Sequence, residues 1–591
     1  RREGADYLVT FDFATRQKTY HVKIDDVATR DIWFADEENI VILASETKFV
    51  IGFRGEFEYS GAFSFSLKTK KLTFLLRGTD NIYPAQGDLG RIVGDDADPG
   101  YIFMPAYVGD RYSHPNYSLL RVNLKTGKGR RFKSGVDNTV DWFVDKDGTV
   151  LAREDYNNTT DTYRVYTYVN GKRELIYELE TSQLPPGVTG IKADRSALLF
   201  SDGSDADDSG NVYELDFSGH LTPASLGGKG GTIERIIKDG NRFVLGVEYS
   251  GAVPSYKFYD PDVDAAVSGM VNQFSTASVN LVSWTDDWSK LLYLIYGSDT
   301  PGSYVLQDRE TGQMMLVADE RDNIPPDAVG QMVSVNYKAR DGLNIPSILT
   351  WPAGVDIETA SKLPLVVMPH GGPESYDAVG FDWMAQYFAN RGYLVLQPNF
   401  RGSSGYGTEH RILGKGEWGG KMQDDITDGV KHLIAEGIVD AGRVGIYGAS
   451  YGGYATMAGL CFTPELYRCG INYVGVTDID LILKEYPLPK KINDAIDAVM
   501  IADRKKDRDW IKSRSIQNNI DKVRAPVLMA YGMKDWRVPP KHGRILKRAL
   551  DRNNIPNKLI IKANEGHGYR NEDNVFEFFR EVDAFLEQHM K

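Results

Sequence analysis

Gly448-Ala449-Ser450-Tyr451-Gly452 sets a serine between two flanking glycines, after the apolar run Arg443–Tyr447 and before a small-residue stretch, Gly453–Leu460. A serine on a sharp strand-to-helix turn has its Oγ pushed out above the sheet, and glycines are needed where side chains would strike the neighbouring backbone. A serine hydroxyl alone is a weak nucleophile, so a base and an acid that orients the base must follow. Beyond Ser450 the chain has three histidines, His542, His567 and His589. His567 lies in Glu565-Gly566-His567-Gly568-Tyr569, directly after the strand-like run Lys558–Lys562, and is the expected base. His542 opens a charged helical stretch and His589 lies in the C-terminal tail, so both read as solvated surface. Asp535 follows Val527–Tyr531 through the turn Gly532-Met533-Lys534, and is the expected acid in preference to a simple helix cap near Pro539. The order Ser, Asp, His is the one such an elbow requires. The chemistry is acyl transfer through a covalent acyl-enzyme, with no cofactor and no metal. Its oxyanion needs backbone donors: the N–H of Tyr451 and that of Gly372, in the turn His370-Gly371-Gly372-Pro373.

These residues need a parallel sheet whose strand ends converge. From Pro325-Pro326 onward, apolar runs (Leu365–Met368, Leu394–Pro398, Val444–Tyr447, Val527–Tyr531, Lys558–Lys562) alternate with helical stretches such as Trp383–Arg391, Lys421–Glu436 and Lys541–Arg552. That rhythm predicts an α/β-hydrolase domain over residues 326–591, with a doubly wound, mostly parallel sheet and an opening hairpin around Asp341-Gly342. Residues 1–325 read differently, as short strands and turns throughout. Landmarks recur about 40–60 residues apart: Asp31–Phe34, Gly90–Val93, Val140–Phe143, Val188–Ile191, Ile233–Ile236 and Leu281–Trp284. Six units and a partial one at 4–25 predict an all-β propeller of seven blades, the first incomplete.

The 591 residues exceed one ordinary core, and 42% hydrophobic with 26% charged residues is a globular composition. A balance of 69 Lys+Arg against 82 Asp+Glu, net −13 without long single-sign blocks, argues against nucleic acid or an anionic membrane as partner. No apolar run is long enough to cross a bilayer. Cys461 and Cys469 read as two small core residues rather than a disulfide. They set no compartment, so cytoplasm and bacterial periplasm both fit, and a homo-oligomer is compatible with everything above. The cluster Asp202, Asp205, Asp207 and Asp208 lacks calcium-loop spacing and reads as a solvated hairpin tip. The chain opens on Arg1-Arg2-Glu3, which is consistent with a leader removed earlier.

Taken together, His370-Gly371-Gly372-Pro373, Asn399–Gly407, Gly448–Tyr454, Gly532–Pro539 and Gly566-His567-Gly568 resemble the prolyl oligopeptidase family, its acylaminoacyl-peptidase-like branch above all. The resemblance implies a propeller that admits short peptides and excludes folded chains. It also implies the triad Ser450, Asp535 and His567 already read from the residues. Two roles come from the resemblance alone: Arg537 as the binder of a substrate carbonyl, and the Tyr406 hydroxyl as an oxyanion donor ranked below Gly372. Dipeptidyl peptidases of the family hold the substrate amino terminus with paired glutamates on a propeller helix. The adjacent pair here, Glu37-Glu38, falls in a polar turn, which speaks against that activity. Isopeptidases that open lasso-shaped peptides belong to the same broad family and are not excluded. A carboxylesterase would use the same triad but has no need of a size filter. A binding scaffold without catalysis has no need of the triad.

Overall fold

The computed structural model describes the chain apart from residues 1–5, 14, 25–27, 50–55, 84–85, 110–113, 182–185, 202–211, 225–231, 298–299, 486–500 and 591. The acidic cluster at 202–208 therefore lies outside the described residues. By compactness the chain divides into two units, Arg1–Gly227 with Ile236–Gly246, and Gly228–Arg235 with Val247–Lys591. The division passes through the strands Ile233–Lys238 and Phe243–Tyr249.

Among the described residues, the strands before residue 325 form six sheets; the first, Tyr7–Asp12 with Gln17–Lys23, has two strands, and one of seven strands joins two successive groups through the parallel pair Gly187–Lys192 and Phe243–Tyr249. A representative four-stranded group runs Thr139–Val144, Val150–Asn157, Thr162–Thr167 and Glu174–Glu180, each antiparallel to the next. Five of the six landmarks lie in opening strands. Gly90–Val93 does not, because the strand there is only Gly94–Asp95. A Cβ on Gly90 would meet Ser60 Oγ at 3.0 Å and one on Gly94 would meet Val144 Cγ1 at 3.1 Å. The segment instead serves its neighbour, through an ion pair from Arg91 to Asp141.

The expectation of strands alone fails at Pro261–Gln273, a 13-residue helix. Asp260 caps it by accepting from the N–H groups of Asp262 and Val263, proline opens its first turn, and Val263, Val267 and Met270 bury one stripe.

The second unit holds an eight-stranded sheet: β1 (Met332–Lys338), β2 (Asn344–Thr350), β3 (Leu363–Val367), β4 (Leu394–Pro398), β5 (Val439–Ala449), β6 (Cys469–Tyr473), β7 (Val527–Gly532) and β8 (Asn557–Lys562). Their spatial order is β1-β2-β4-β3-β5-β6-β7-β8. The hairpin β1–β2 is antiparallel, β2 meets β4 antiparallel, and all other pairs are parallel. Both faces are covered, so the strands are apolar on both sides. Leu365, Val367, Leu396, Ile446 and Met529 face one core with α2 (Lys421–Ala435) and α3 (Tyr451–Phe462). Val366, Val395, Ile471 and Leu528 face the other with α1 (Trp383–Asn390) and α5 (Glu572–Met590). Both cysteines are free and buried, and burial pushes their thiols up to about 12. Among the described residues no helix is long and apolar enough to cross a membrane.

Candidate active site

Parallel register brings the C-terminal ends of β5 to β8 to one edge: Ala449 is opposite Tyr473, Tyr473 opposite Ala530, and Gly532 opposite Lys562. Ser450 follows Ala449 with φ 58° and ψ −119°, a left-handed backbone that costs a non-glycine residue energy. Neighbours hold it there. Its N–H donates to Tyr473 O at 3.0 Å, and its carbonyl accepts from Tyr454 N–H at 3.2 Å. A Cβ on Gly448 would fall on the Gly452 backbone, and one on Gly453 would come within 2.6 Å of Gly475 Cα, so the elbow closes only with glycines. Tyr451 opens α3, where backbone N–H groups have no acceptor within the helix. Its ring, packed on Phe400, Trp418 and Tyr454, fixes that backbone.

Asp535 and His567 meet directly, with His567 Nδ1 2.8 Å from Asp535 Oδ2. Asp535 Oδ1 accepts from the backbone N–H groups of Arg537 and Val538, both at 2.9 Å. The carboxylate is thus fixed from two sides and its side chain is wholly buried. The two loops are locked together by Lys534 N–H to Glu565 O at 2.8 Å and Met533 N–H to Lys562 O at 2.9 Å. Glu565, 3% exposed, accepts from the N–H groups of Arg570 and Asn571 and from Asn574 Nδ2. These bonds hold its carboxyl below the usual range although burial works the other way. The Tyr473 hydroxyl accepts from Tyr569 N–H, so one residue anchors both the Ser450 turn and the His567 loop. Neither Tyr473 nor Glu565 was anticipated. Glu565 is written beside the histidine, but only the fold shows that it turns inward.

The glycine turn after β3 lies against the elbow, since a Cβ on Gly371 would be 3.4 Å from Ser450 Cβ. Gly372 has φ 117°, which a side chain would resist. His370 secures this turn: its Nδ1 lies 2.8 Å from Gly371 O, its Nε2 2.8 Å from Ser403 Oγ, and its ring stacks on Phe400. Burial pushes its imidazole down to about 4, so it is neutral at physiological pH. Tyr406 follows β4 on the same edge. Its hydroxyl accepts from Asn399 Nδ2 at 3.1 Å, which leaves its own proton free to be donated. Burial, aided by Asp377, pushes that hydroxyl up to about 12. Arg537 is exposed and lies over the exposed Trp536 ring.

The loop bearing Tyr406 is pinned by Arg401, 3% exposed, whose guanidinium pairs with Asp425 at 2.7 and 2.8 Å and with Asp341 at 2.8 and 3.0 Å. Asp425 is fully buried, so removing Arg401 strands an ionised group. Arg401→Leu should cost about 3–5 kcal/mol in urea unfolding. A loss under about 1 kcal/mol, the range of exposed pairs, would contradict this.

Two histidines depart from expectation. His542 is fully buried, on the inner stripe of α4 (Lys541–Arg552) with Leu546, Ala549 and Leu550, and accepts from Thr477 N–H at 3.2 Å. His589 is half-buried against Phe585 within α5 rather than in a free tail. Each lies on a buried helical face that its charged neighbours disguise.

Residues 379–591 match the model of the prolyl oligopeptidase family. The chain is 31% identical over 347 residues to dipeptidyl aminopeptidase BIII of Pseudoxanthomonas mexicana, covering 56% of this chain and 49% of that one. It is 29% identical over 258 residues to the acylamino-acid-releasing enzyme of Rattus norvegicus, covering 42% and 34%. It spans about half the length of the first relatives it matches. The solved structure of Pyrococcus horikoshii acylaminoacyl peptidase superposes with a TM-score of 0.69 at 16% identity, over 99% of this chain and 91% of that one. The fold is that of a β-propeller followed by an α/β-hydrolase domain.

Proposed function

We propose that the chain, whose residues 379–591 match the prolyl oligopeptidase family, is a serine peptidase of that family hydrolysing short peptides through Ser450, Asp535 and His567. The observation that carries this reading is the pair His567 Nδ1–Asp535 Oδ2, at strand ends that share the edge of the Ser450 elbow. In this mechanism Ser450 Oγ attacks the peptide carbonyl while His567 Nε2 takes its proton. Asp535 holds the imidazole with its proton on Nδ1 and stabilises the imidazolium. The oxyanion receives the N–H of Tyr451 and of Gly372, joined by the Tyr406 hydroxyl. His567 then protonates the leaving amine, and water resolves the acyl-enzyme by the reverse path. Arg537, exposed beside the acid, binds a substrate carbonyl.

The propeller is assigned to residues 1–325 and the hydrolase domain to 326–591, with the propeller limiting substrates to short peptides. Glu37 and Glu38 are both exposed in the turn between Ala28–Phe34 and Asn39–Phe49. That favours an acylaminoacyl-peptidase-like specificity over one that grips a free amino terminus.

A mixed library of free and N-blocked short peptides, read by mass spectrometry, tests the assignment. N-blocked peptides should be cleaved, and a sequence consumed as a free peptide should survive when inserted in a folded loop. Equal rates for peptide and loop would remove the filter. Turnover of small esters with no peptide cleaved would replace the peptidase by a carboxylesterase.

A further inference from the structure

The segment between β3 and α1 contains two carboxylates and meets one side-chain amide. Gln397 of β4 is 1% exposed and donates from Nε2 to Asp382 Oδ2 at 3.1 Å. Asp382 caps α1, its Oδ1 accepting from the N–H groups of Met384 and Ala385 at 2.8 and 3.1 Å. The other side-chain neighbour of Gln397 is Asp377. Gln397 Oε1 and Asp377 Oδ2 are both buried, and neither has a hydrogen-bond partner among the described residues. A side-chain amide donates through its two N–H groups, and its oxygen only accepts. The Nε2 hydrogen bond of Gln397 goes to Asp382, which accepts from three N–H groups in all, and Asp377 Oδ2 accepts from none. A proton on Asp377, donated to Gln397 Oε1, gives both buried oxygens a partner.

Asp377 is also tied to the oxyanion side of the site. Its N–H donates to Asn399 Oδ1 at 2.7 Å, and its carbonyl accepts from Asn399 Nδ2 at 2.9 Å. The same Nδ2 donates to the Tyr406 hydroxyl. Tyr376, the preceding residue, packs its ring edge-on against Tyr406 at 6.1 Å. The segment is fastened again where Val379 N–H donates to Ala252 O at 2.8 Å.

We propose that Asp377 is a positioning residue, protonated and donating to Gln397 Oε1, and that in this state it holds Asn399 and the Tyr406 hydroxyl in place. The role rests on the reading of Tyr406 as an oxyanion donor. Burial, with Asp382 adding to it and the Gln397 amide opposing it, pushes the Asp377 carboxyl up to about 8. The titratable groups around it are Asp382, Tyr406 and Tyr376, and across a shared cavity of 320 Å³ Glu248, Tyr249 and Tyr296. Glu248 is paired with Arg235 at 2.7 Å. Ionisation of Asp377 sets its carboxylate against Gln397 Oε1, and the segment that clasps Asn399 must shift.

The test uses the full chain and an N-blocked substrate, so that no substrate amine titrates. Wild-type kcat should fall at least about tenfold through the alkaline range around the Asp377 titration, a fraction of the 10²–10³ that complete loss of an oxyanion donor costs. Asp377→Ala should lower kcat at every pH. Asp377→Asn, which donates without titrating, should restore it and remove the alkaline fall. Difference infrared spectra from neutral to alkaline pH should show a protonated-carboxyl C=O band lost in wild type and absent from Asp377→Asn. Absence of that band, or an alkaline fall unchanged in Asp377→Asn, would overturn the proposal. Wild-type kcat in Tyr406→Phe would instead remove the oxyanion role of Tyr406, and the positioning role with it. The infrared band would still be present in that case, which separates the two failures.

Discussion

Replacing Ser450 by alanine should lower kcat by roughly 10⁶, to the residual level of a site that binds but cannot form an acyl-enzyme. Ser450 is the residue at the elbow whose oxygen can attack, and its left-handed backbone is imposed by the Tyr473 and Tyr454 hydrogen bonds, not by its own side chain. Alanine carries the same Cβ into the same conformation. The change in unfolding free energy should therefore stay within about 0.5 kcal/mol. The fall in turnover is then chemical and not a loss of fold. Steady-state hydrolysis of a cleaved peptide, alongside urea unfolding of the same preparation, checks both halves. Near-normal turnover by the variant would remove Ser450 as nucleophile.

Asp535→Asn should retain the fold and lose on the order of 10⁴ in kcat. The geometry gives the reason. Asp535 Oδ1 accepts from two backbone N–H groups, so the amide oxygen of asparagine takes that place and its NH₂ turns toward His567 Nδ1. Nδ1 must then accept, the ring proton moves to Nε2, and the nitrogen that should take the serine proton already carries one. A nearly wild-type Asp535→Asn beside an inactive Asp478→Asn or Asp480→Asn would show a different acid at work. In the structure Asp478 is engaged by Gln517 Nε2 at 2.5 Å and Asp480 by Arg504 at 2.7 Å. Both are thereby committed elsewhere.

The elbow, the acid and the base could be read from the chain because each stands a few residues past an apolar run, and parallel register converts that position into a shared edge. The apolar runs that become β3, β4, β5, β7 and β8 were legible for the same reason. What escaped depends on partners remote in sequence. Tyr473 matters because Tyr569, 96 residues later, returns to its hydroxyl. Asp377 matters because Gln397 and Asn399 fold back on it. His542 was misjudged from the charges around it, although its spacing of four to Leu546 marks the buried stripe of α4. The helix Pro261–Gln273 was lost in a run of strands despite its Asp-Pro start and the spacing of Val263, Val267 and Met270. In both cases periodicity was the better guide than composition.

The most direct measurement is to treat the full chain with a fluorophosphonate and map the adduct by peptide mass spectrometry. One phosphonyl group is expected, on Ser450, formed far more slowly in Asp535→Asn and not formed in Ser450→Ala. An adduct on another serine, or an unlabelled Ser450 in a chain that still turns over peptides, would contradict it.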